Sequence, residues 1–300
     1  MISIIICSRN KHISTALEEN IKSTIGVEYE IVTIDNSENK YSLFSAYNYG
    51  VKLSNYPYLC FVHEDVFFRT NKWGINLIGH LNKDRCGIVG VAGGKIATNV
   101  PAQWSNENRY IHIIQHYKKA KKAAYLKEPA DNSKLCESVV LVDGVFLSMR
   151  RELFSHLNFD ESLGGFHSYD YDISIQAIVV GYNNFVVYDI LLEHFSAGFK
   201  DDRYYKNLIK VYKKWVHKLP LFTSDRANYT ANDIQNIEKE RLKKLIRRMA
   251  KTGFSTNEIV ANTAYFVEIL KAKGIFLDMK FIKLKVFFIK LYKSILFFKK

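Results

Sequence analysis

Cysteine is sparse in this chain, and no motif is built on it. Cys7, Cys60, Cys86 and Cys136 are the only four in 300 residues, and no two form a Cys-x-x-Cys pair. That excludes a zinc ribbon or a disulfide framework and reads as reduced core residues of a cytosolic protein. No secretory leader is expected either: no basic segment precedes the first apolar stretch, which is too short for a signal peptide or membrane span and reads as a first strand. No Gly-x-Gly-x-x-Gly turn follows that strand, where Cys7-Ser8-Arg9-Asn10 stands instead, so a dinucleotide fold is set aside. The run from Gly87 to Lys95 fails as a phosphate loop. Val89 takes the place of its first glycine and Ile96 that of the magnesium-binding Ser or Thr. Those glycines instead let backbone pack close to ligand or to neighbouring strands. Negative charge is scarce in the last fifth, where residues 241–300 hold 15 Lys and Arg against Glu258, Glu268 and Asp278. Nearly all of the net charge of +13 therefore lies there, and the first 240 residues are close to neutral.

What is present is ample material for a core. Hydrophobic residues make up 48% and aromatics 14% of the chain, which excludes disorder, and the length suits one large domain with a small appendage. Ile2–Cys7 reads as a strand, Ile13–Ile25 as a helix with apolar period, Glu30–Ile34 as a strand, and the segment around Ala46-Tyr47-Asn48-Tyr49-Gly50 as a helix. The apolar run from Tyr58 reads as a buried strand that ends abruptly in His63-Glu64-Asp65, with another apolar pair after it. Strand–helix–strand–helix–strand implies right-handed crossovers and a largely parallel sheet, with ligands outside the carboxyl ends of its strands. Polar groups stand at those ends: Ser8 and Arg9, Asp35-Asn36-Ser37, and His63-Glu64-Asp65. The last group admits two readings, a divalent-cation and phosphate site or a strand end that turns into solvent.

Residues 98–134, with Trp104, several histidines and Lys118–Lys122, read as an irregular substrate lid or acceptor loop, or else as a solvated helix. Ser138–Met149 is an apolar strand pair broken by Asp143-Gly144. Gly164-Gly165-Phe166-His167-Ser168-Tyr169-Asp170-Tyr171-Asp172 then opens a helix over Ile173–Val180. Asp170 and Asp172 fall in its first turn, where capping suffices to explain one of them. Phe185–Leu192 reads as a strand ending in Glu193-His194.

Taken in order, these motifs resemble a family 2 glycosyltransferase of the GT-A fold over about residues 1–200. The resemblance implies a Rossmann-like, mostly parallel α/β sheet flanked by helices. It implies donor-nucleotide contacts from Ser8, Arg9, the uridine-contacting turn Asp35-Asn36-Ser37, Asn48 and Glu64. His63-Glu64-Asp65 stands at the Asp-x-Asp metal motif, with His63 for its first aspartate; Asp65 is then a ligand, and His194 is either a late metal ligand or a satisfied strand-end histidine. Asp143-Gly144, Tyr169, Asp172 and Trp104 fall on the acceptor and sugar side. Asp170 takes the place of the catalytic base, with Tyr169 where the family has glutamate. Mn²⁺ or Mg²⁺ is the implied cofactor, histidine favouring manganese. A UDP-sugar donor and an inverting transfer to a glycan acceptor follow. The His-x-Asp form resembles a bacterial subgroup linked to capsule and lipooligosaccharide synthesis.

The division expected is a catalytic domain over 1–220 and a helical extension over 221–300. Thr230 or Asn232 caps a helix to about Lys251, and Ser255-Thr256-Asn257-Glu258 begins another. Phe281, Leu284, Phe288, Leu291, Ile295 and Phe298 share one helical face, with Lys283, Lys290, Lys293 and Lys300 opposite. Residues 280–300 thus suit an anionic membrane surface, with packing on the catalytic domain or a second subunit of a homo-oligomer as the other reading. That places the chain in the cytoplasm, peripheral at the inner face of a bacterial plasma membrane. Nucleic acid is not an expected partner, since no reading motif is present. The competing function is a non-catalytic nucleotide- or sugar-binding protein on the same fold.

Overall fold

Ile2, Ile4, Ile5 and Ile6 are all fully buried, as a strand covered on both faces requires. They form β1 (Ile2–Ser8), followed by α1 (Thr15–Thr24), β2 (Tyr29–Asp35), α2 (Leu43–Leu53) and β3 (Tyr58–Val62). The Ser14 and Ser42 hydroxyls cap the two helices by accepting from Leu17 N and Ser45 N. β1 pairs in parallel with both β2 and β3. The structure, a computed structural model, describes residues 1–106, 109–117, 123–129, 134–196, 198 and 200–277. The lysine run at 118–122 and the amphipathic segment at 280–300 lie outside the described residues. Among the described residues no helix is long and apolar enough to cross a membrane.

The chain then runs through β4 (Val66–Phe68), α3 (Trp73–Leu81), β5 (Cys86–Gly90), β6 (Ala92–Gly94), β7 (Ile96–Ala97), β8 (Arg109–Gln115) and β9 (Ala124–Glu128). After these come β10 (Cys136–Val139), β11 (Leu141–Val142), β12 (Phe146–Arg150), α4 (Tyr169–Val179), β13 (Asn183–Val187) and β14 (Leu192–His194). Seven strands form one sheet in the order β10-β13-β5-β12-β3-β1-β2. It is mostly parallel, with β12 antiparallel to β3 and β5, and β10 antiparallel to β13. A second sheet runs β11-β6-β8-β14-β4, with β9 on β8. Phe68, Trp73 and Phe146 pack as fully buried rings in the core that also holds residues of β1, β5 and β14. Each such side chain contributes about 1.5–3 kcal/mol.

β3 ends at Val62, where the sequence places the strand end; the apolar residues after it form β4 in the other sheet, and His63-Glu64-Asp65 is the corner between them. Three sequence expectations are corrected. Phe185–Leu192 likewise divides between β13 and β14. The described part of residues 98–134 holds strands where an irregular loop or a solvated helix is expected. Ile111, His112 and Ile113 are buried in β8, which pairs with β6, β9 and β14. Two cysteines leave the core: Cys60 and Cys86 are buried, but Cys7 and Cys136 are only half-buried. The glycines of β5 and β6 do meet a neighbouring strand. A Cβ on Gly93 would stand 2.3 Å from the Leu141 carbonyl oxygen, so only glycine allows that approach.

Residues 1–96 and 104–199 make one compact unit; 97–103 and the described chain from 200 onward make another. The second holds α5 (Asp202–Lys214), β15 (Leu221–Phe222), α6 (Ala231–Lys251) and α7 (Thr256–Ala272). Capping boxes Thr230–Asp233 and Ser255–Glu258 open α6 and α7 where the sequence signals them. Within this unit Glu238 of α6 is fully buried. Its Oε1 accepts from both nitrogens of Asn99 at 2.7 Å and its Oε2 from Val100 N at 3.1 Å.

Candidate donor and metal site

The corners between the two sheets gather the polar residues. At the end of β1, Ser8 Oγ donates to Glu64 Oε2 at 2.6 Å and Arg9 Nε to Glu64 Oε1 at 2.7 Å. Glu64 thus holds both residues at a cleft of about 360 Å³, which Asn36, His63 and Asp65 also line, with Tyr47 and Phe166. Asn36 is buried and fixed by Tyr41, donating to its carbonyl and accepting from its N–H. Asp35 and Ser37 sit beside it on the exposed side, outside the cleft lining. Hydrogen bonds from the Ser37 hydroxyl and N–H hold the Asp35 carboxyl below its ordinary range. Asn48 is not brought to the cleft: its amide donates to Phe159 O and Glu161 Oε1, and its Oδ1 accepts from Phe159 N.

His63, Asp65 and His194 converge, with one ligand atom from each lying within 4.8 Å of the others. Their hydrogen bonds assign the ring protons. The Tyr169 hydroxyl donates its only proton to the Gly144 carbonyl at 3.0 Å, so His63 Nε2, 3.0 Å from that oxygen, must be the N–H. His63 Nδ1 is then a lone pair, 4.0 Å from Asp65 Oδ1. On the other side, Gln115 Nε2 donates to the carbonyls of His116 and Ser196, which turns its Oε1 toward His194 Nδ1 at 3.2 Å. With Nδ1 protonated toward Gln115, His194 turns Nε2 to Asp65 Oδ1 at 3.4 Å and hydrogen-bonds that carboxylate, and a cation at the site would take the place of the Nε2 proton. Burial, and then the neighbouring His194, lower the pKa of His63 and keep it neutral. Burial alone would raise Asp65, but hydrogen bonds from His194 and Ser196 hold it well below the carboxylate range. Two imidazole rings and one ionised carboxylate suit Mn²⁺ better than the all-oxygen preference of Mg²⁺.

The corner Asp143-Gly144 joins this cluster through Tyr169. A Cβ at Gly144 would stand 2.2 Å from the Tyr169 hydroxyl, so glycine is what admits that ring. Asp143 Oδ2 accepts from Trp104 Nε1 at 2.6 Å and its Oδ1 from Val145 N at 3.0 Å. Asp170, in the first turn of α4, accepts from Gly144 N at 3.1 Å. Burial, and then the charge of Asp143, raise the Asp170 carboxyl to about 7. Trp104, Asp143, Gly144, Tyr169 and Asp170 are therefore one connected group. Asp172 faces elsewhere: fully buried, it accepts from Gln176 Nε2 at 2.8 Å. Sequence reasoning missed Gln115, whose part depends on lying opposite His194 in the β8–β14 register.

The profile of a glycosyltransferase-like family matches residues 3–217. The chain belongs to this family. Among solved structures, this glycosyltransferase-like protein is similar to S. aureus TarS at 12% identity. That match covers 97% of this chain and 52% of that one, with a TM-score of 0.54. The structure of GalNAc-T7 with UDP, GalNAc and Mn²⁺ matches at 13% identity, covering 84% and 56% of the two chains, with a TM-score of 0.49. A197 from STIV matches at 12% identity over 65% and 86%, with a TM-score of 0.40. The glycosyltransferase-like chain spans about half the length of TarS and GalNAc-T7. No curated protein sequence matches it. Its fold is GT-A, as its family and the TarS likeness agree.

Proposed function

We propose that the protein is an inverting, metal-dependent glycosyltransferase that moves a sugar, hexosyl or N-acetylhexosaminyl, from a UDP-sugar to a glycan acceptor. The observation that carries this reading is the convergence of His63, Asp65 and His194 beside a cleft lined by Ser8, Arg9 and Asn36. His63, Asp65 and His194 would hold the cation, which when bound supplies charge to stabilise a leaving diphosphate. Asn36 contacts the uridine from the cleft lining, and Arg9, held by Glu64, faces the diphosphate. Asp170 is the base: with its pKa near 7 it takes the proton of the acceptor hydroxyl as that oxygen attacks the anomeric carbon. The sugar–phosphate bond breaks on the opposite face, so a single displacement inverts the configuration. Asp143, held by Trp104, orients the acceptor beside it.

The setting we assign is bacterial surface-glycan synthesis, of the capsule or lipooligosaccharide kind, at the cytoplasmic face of the membrane. It is supported by the His63-x-Asp65 form and by the basic, aromatic pattern of residues 280–300. The test is thermal stability against a panel of nucleotides and nucleotide-sugars, with and without Mn²⁺. Binding to the folded state raises the melting temperature, by about 2.7 kcal/mol of stability at a hundredfold excess over Kd. We expect one UDP-sugar to shift it, Mn²⁺ to enlarge the shift, and Asp65→Ala to abolish the enlargement. No shift with any nucleotide would overturn the reading.

A further inference from the structure

A second cluster of reactive groups lies at the other end of the seven-stranded sheet, independent of sugar transfer. Cys136 opens β10, the edge strand farthest in sheet order from β1 and β2, and is half-buried. Lys83 Nζ, just past α3, donates to Cys136 Sγ at 3.3 Å and lies 3.1 Å from His80 Nδ1. His80, whose side chain is 5% exposed, turns its Nε2 to Asp189 Oδ1 at 2.8 Å. The carboxylate orients the ring, and the ring and the ammonium converge on the sulfur. Sulfur, imidazole and carboxylate with a lysine donor form a nucleophile–orienter chain of the kind that activates thiols.

The other cysteines supply an internal contrast. Burial pushes Cys7 up to about 11 and Cys60 and Cys86 up to about 12. Cys136 alone moves down, through its hydrogen bond with His80 and then that with Lys83, against the opposing effect of burial. The ionisable groups around its sulfur are His80 and Lys83 from the end of α3, Cys86 on β5 and Tyr188 after β13. Glu137 beside it is paired with Lys134 at 2.9 Å.

We propose that Cys136 is a thiol-modification site that exchanges with low-molecular-weight disulfides, activated by Lys83 and the His80–Asp189 pair. The Cys136 thiolate forms a bond to one sulfur of the small disulfide. The disulfide's own S–S bond breaks, and the departing thiolate leaves with its electron pair, met by the Lys83 ammonium. The product is a mixed disulfide on the protein, with no other oxidant required.

The experiment treats the reduced full chain with glutathione disulfide or an aromatic disulfide reagent and maps the added mass. The first equivalent is expected on Cys136, absent in Cys136→Ser, at a rate about tenfold or more above that at Cys7 near neutral pH. The wild-type rate is expected to reach its midpoint below the pH of about 8.5 typical of a free thiol. Lys83→Met should slow the reaction about tenfold and move that midpoint up, a difference that disappears in denaturant. Equal labelling of Cys7 and Cys136 would overturn the proposal, as would a wild-type midpoint at or above the free-thiol value. The wild-type profile decides the matter even if the variant fails to fold.

Discussion

Replacing Asp170 with asparagine separates what this carboxyl does for stability from what it does for chemistry. Burial and the neighbouring Asp143 raise Asp170 from 3.8 to about 7. Between those values the folded protein keeps a proton that the unfolded chain has released. The raised pKa therefore contributes stability that is complete below about pH 4 and is lost as pH climbs to about 7. At about 1.4 kcal/mol per unit the whole loss is on the order of 4 kcal/mol. Asparagine retains an oxygen for the Gly144 N–H but has no proton to lose. The Asp170→Asn chain should therefore gain on the wild type by about 3 kcal/mol between roughly pH 5 and pH 8, read from urea melts. Sugar transfer should meanwhile fall about 10²–10⁴-fold, and the wild-type rate should rise with pH through about 7 as the base deprotonates. Parallel stability–pH curves for the two proteins would refute the burial argument. A variant within tenfold of the wild-type rate would refute Asp170 as the base.

Gln115→Leu frees His194 Nδ1 to lose its proton and turn, so Mn²⁺ affinity measured by titration calorimetry should fall about 10–100-fold. Unchanged affinity would show that the tautomer is set elsewhere. Glu238→Ala leaves the N–H groups of Asn99 and Val100 without their buried acceptor. We expect a loss of about 3 kcal/mol or more in denaturant unfolding, with less than about 1 kcal/mol counting against this account.

The order of elements through β3 was legible because period and strand-end polarity agree there. The corners were not legible. Apolar residues run on either side of His63-Glu64-Asp65 with no change in composition, and nothing in them says that Val62 and Val66 belong to different sheets. β8 was hidden for the opposite reason: its buried Ile111–Ile113 is short and set in a basic, polar stretch. In the site, Asp65 and His194 were placed by resemblance to a family pattern, and the structure brings them together with His63. Gln115 could not be read at all, because only strand register puts it opposite His194. Asn48 matched a motif in the sequence, yet its amide is used by Phe159 and Glu161.

The Asn99–Glu238 bond has a consequence in time. The two residues are 139 positions apart, and synthesis proceeds at about 5–20 residues per second. On the ribosome, Asn99 therefore exists for on the order of 10 s before its acceptor is made. The strands around it can pair meanwhile, but residues 97–103 belong to the later-made unit and must wait. A fragment ending near residue 200 would lack Glu238 and leave the N–H groups of Asn99 and Val100 in that waiting state permanently.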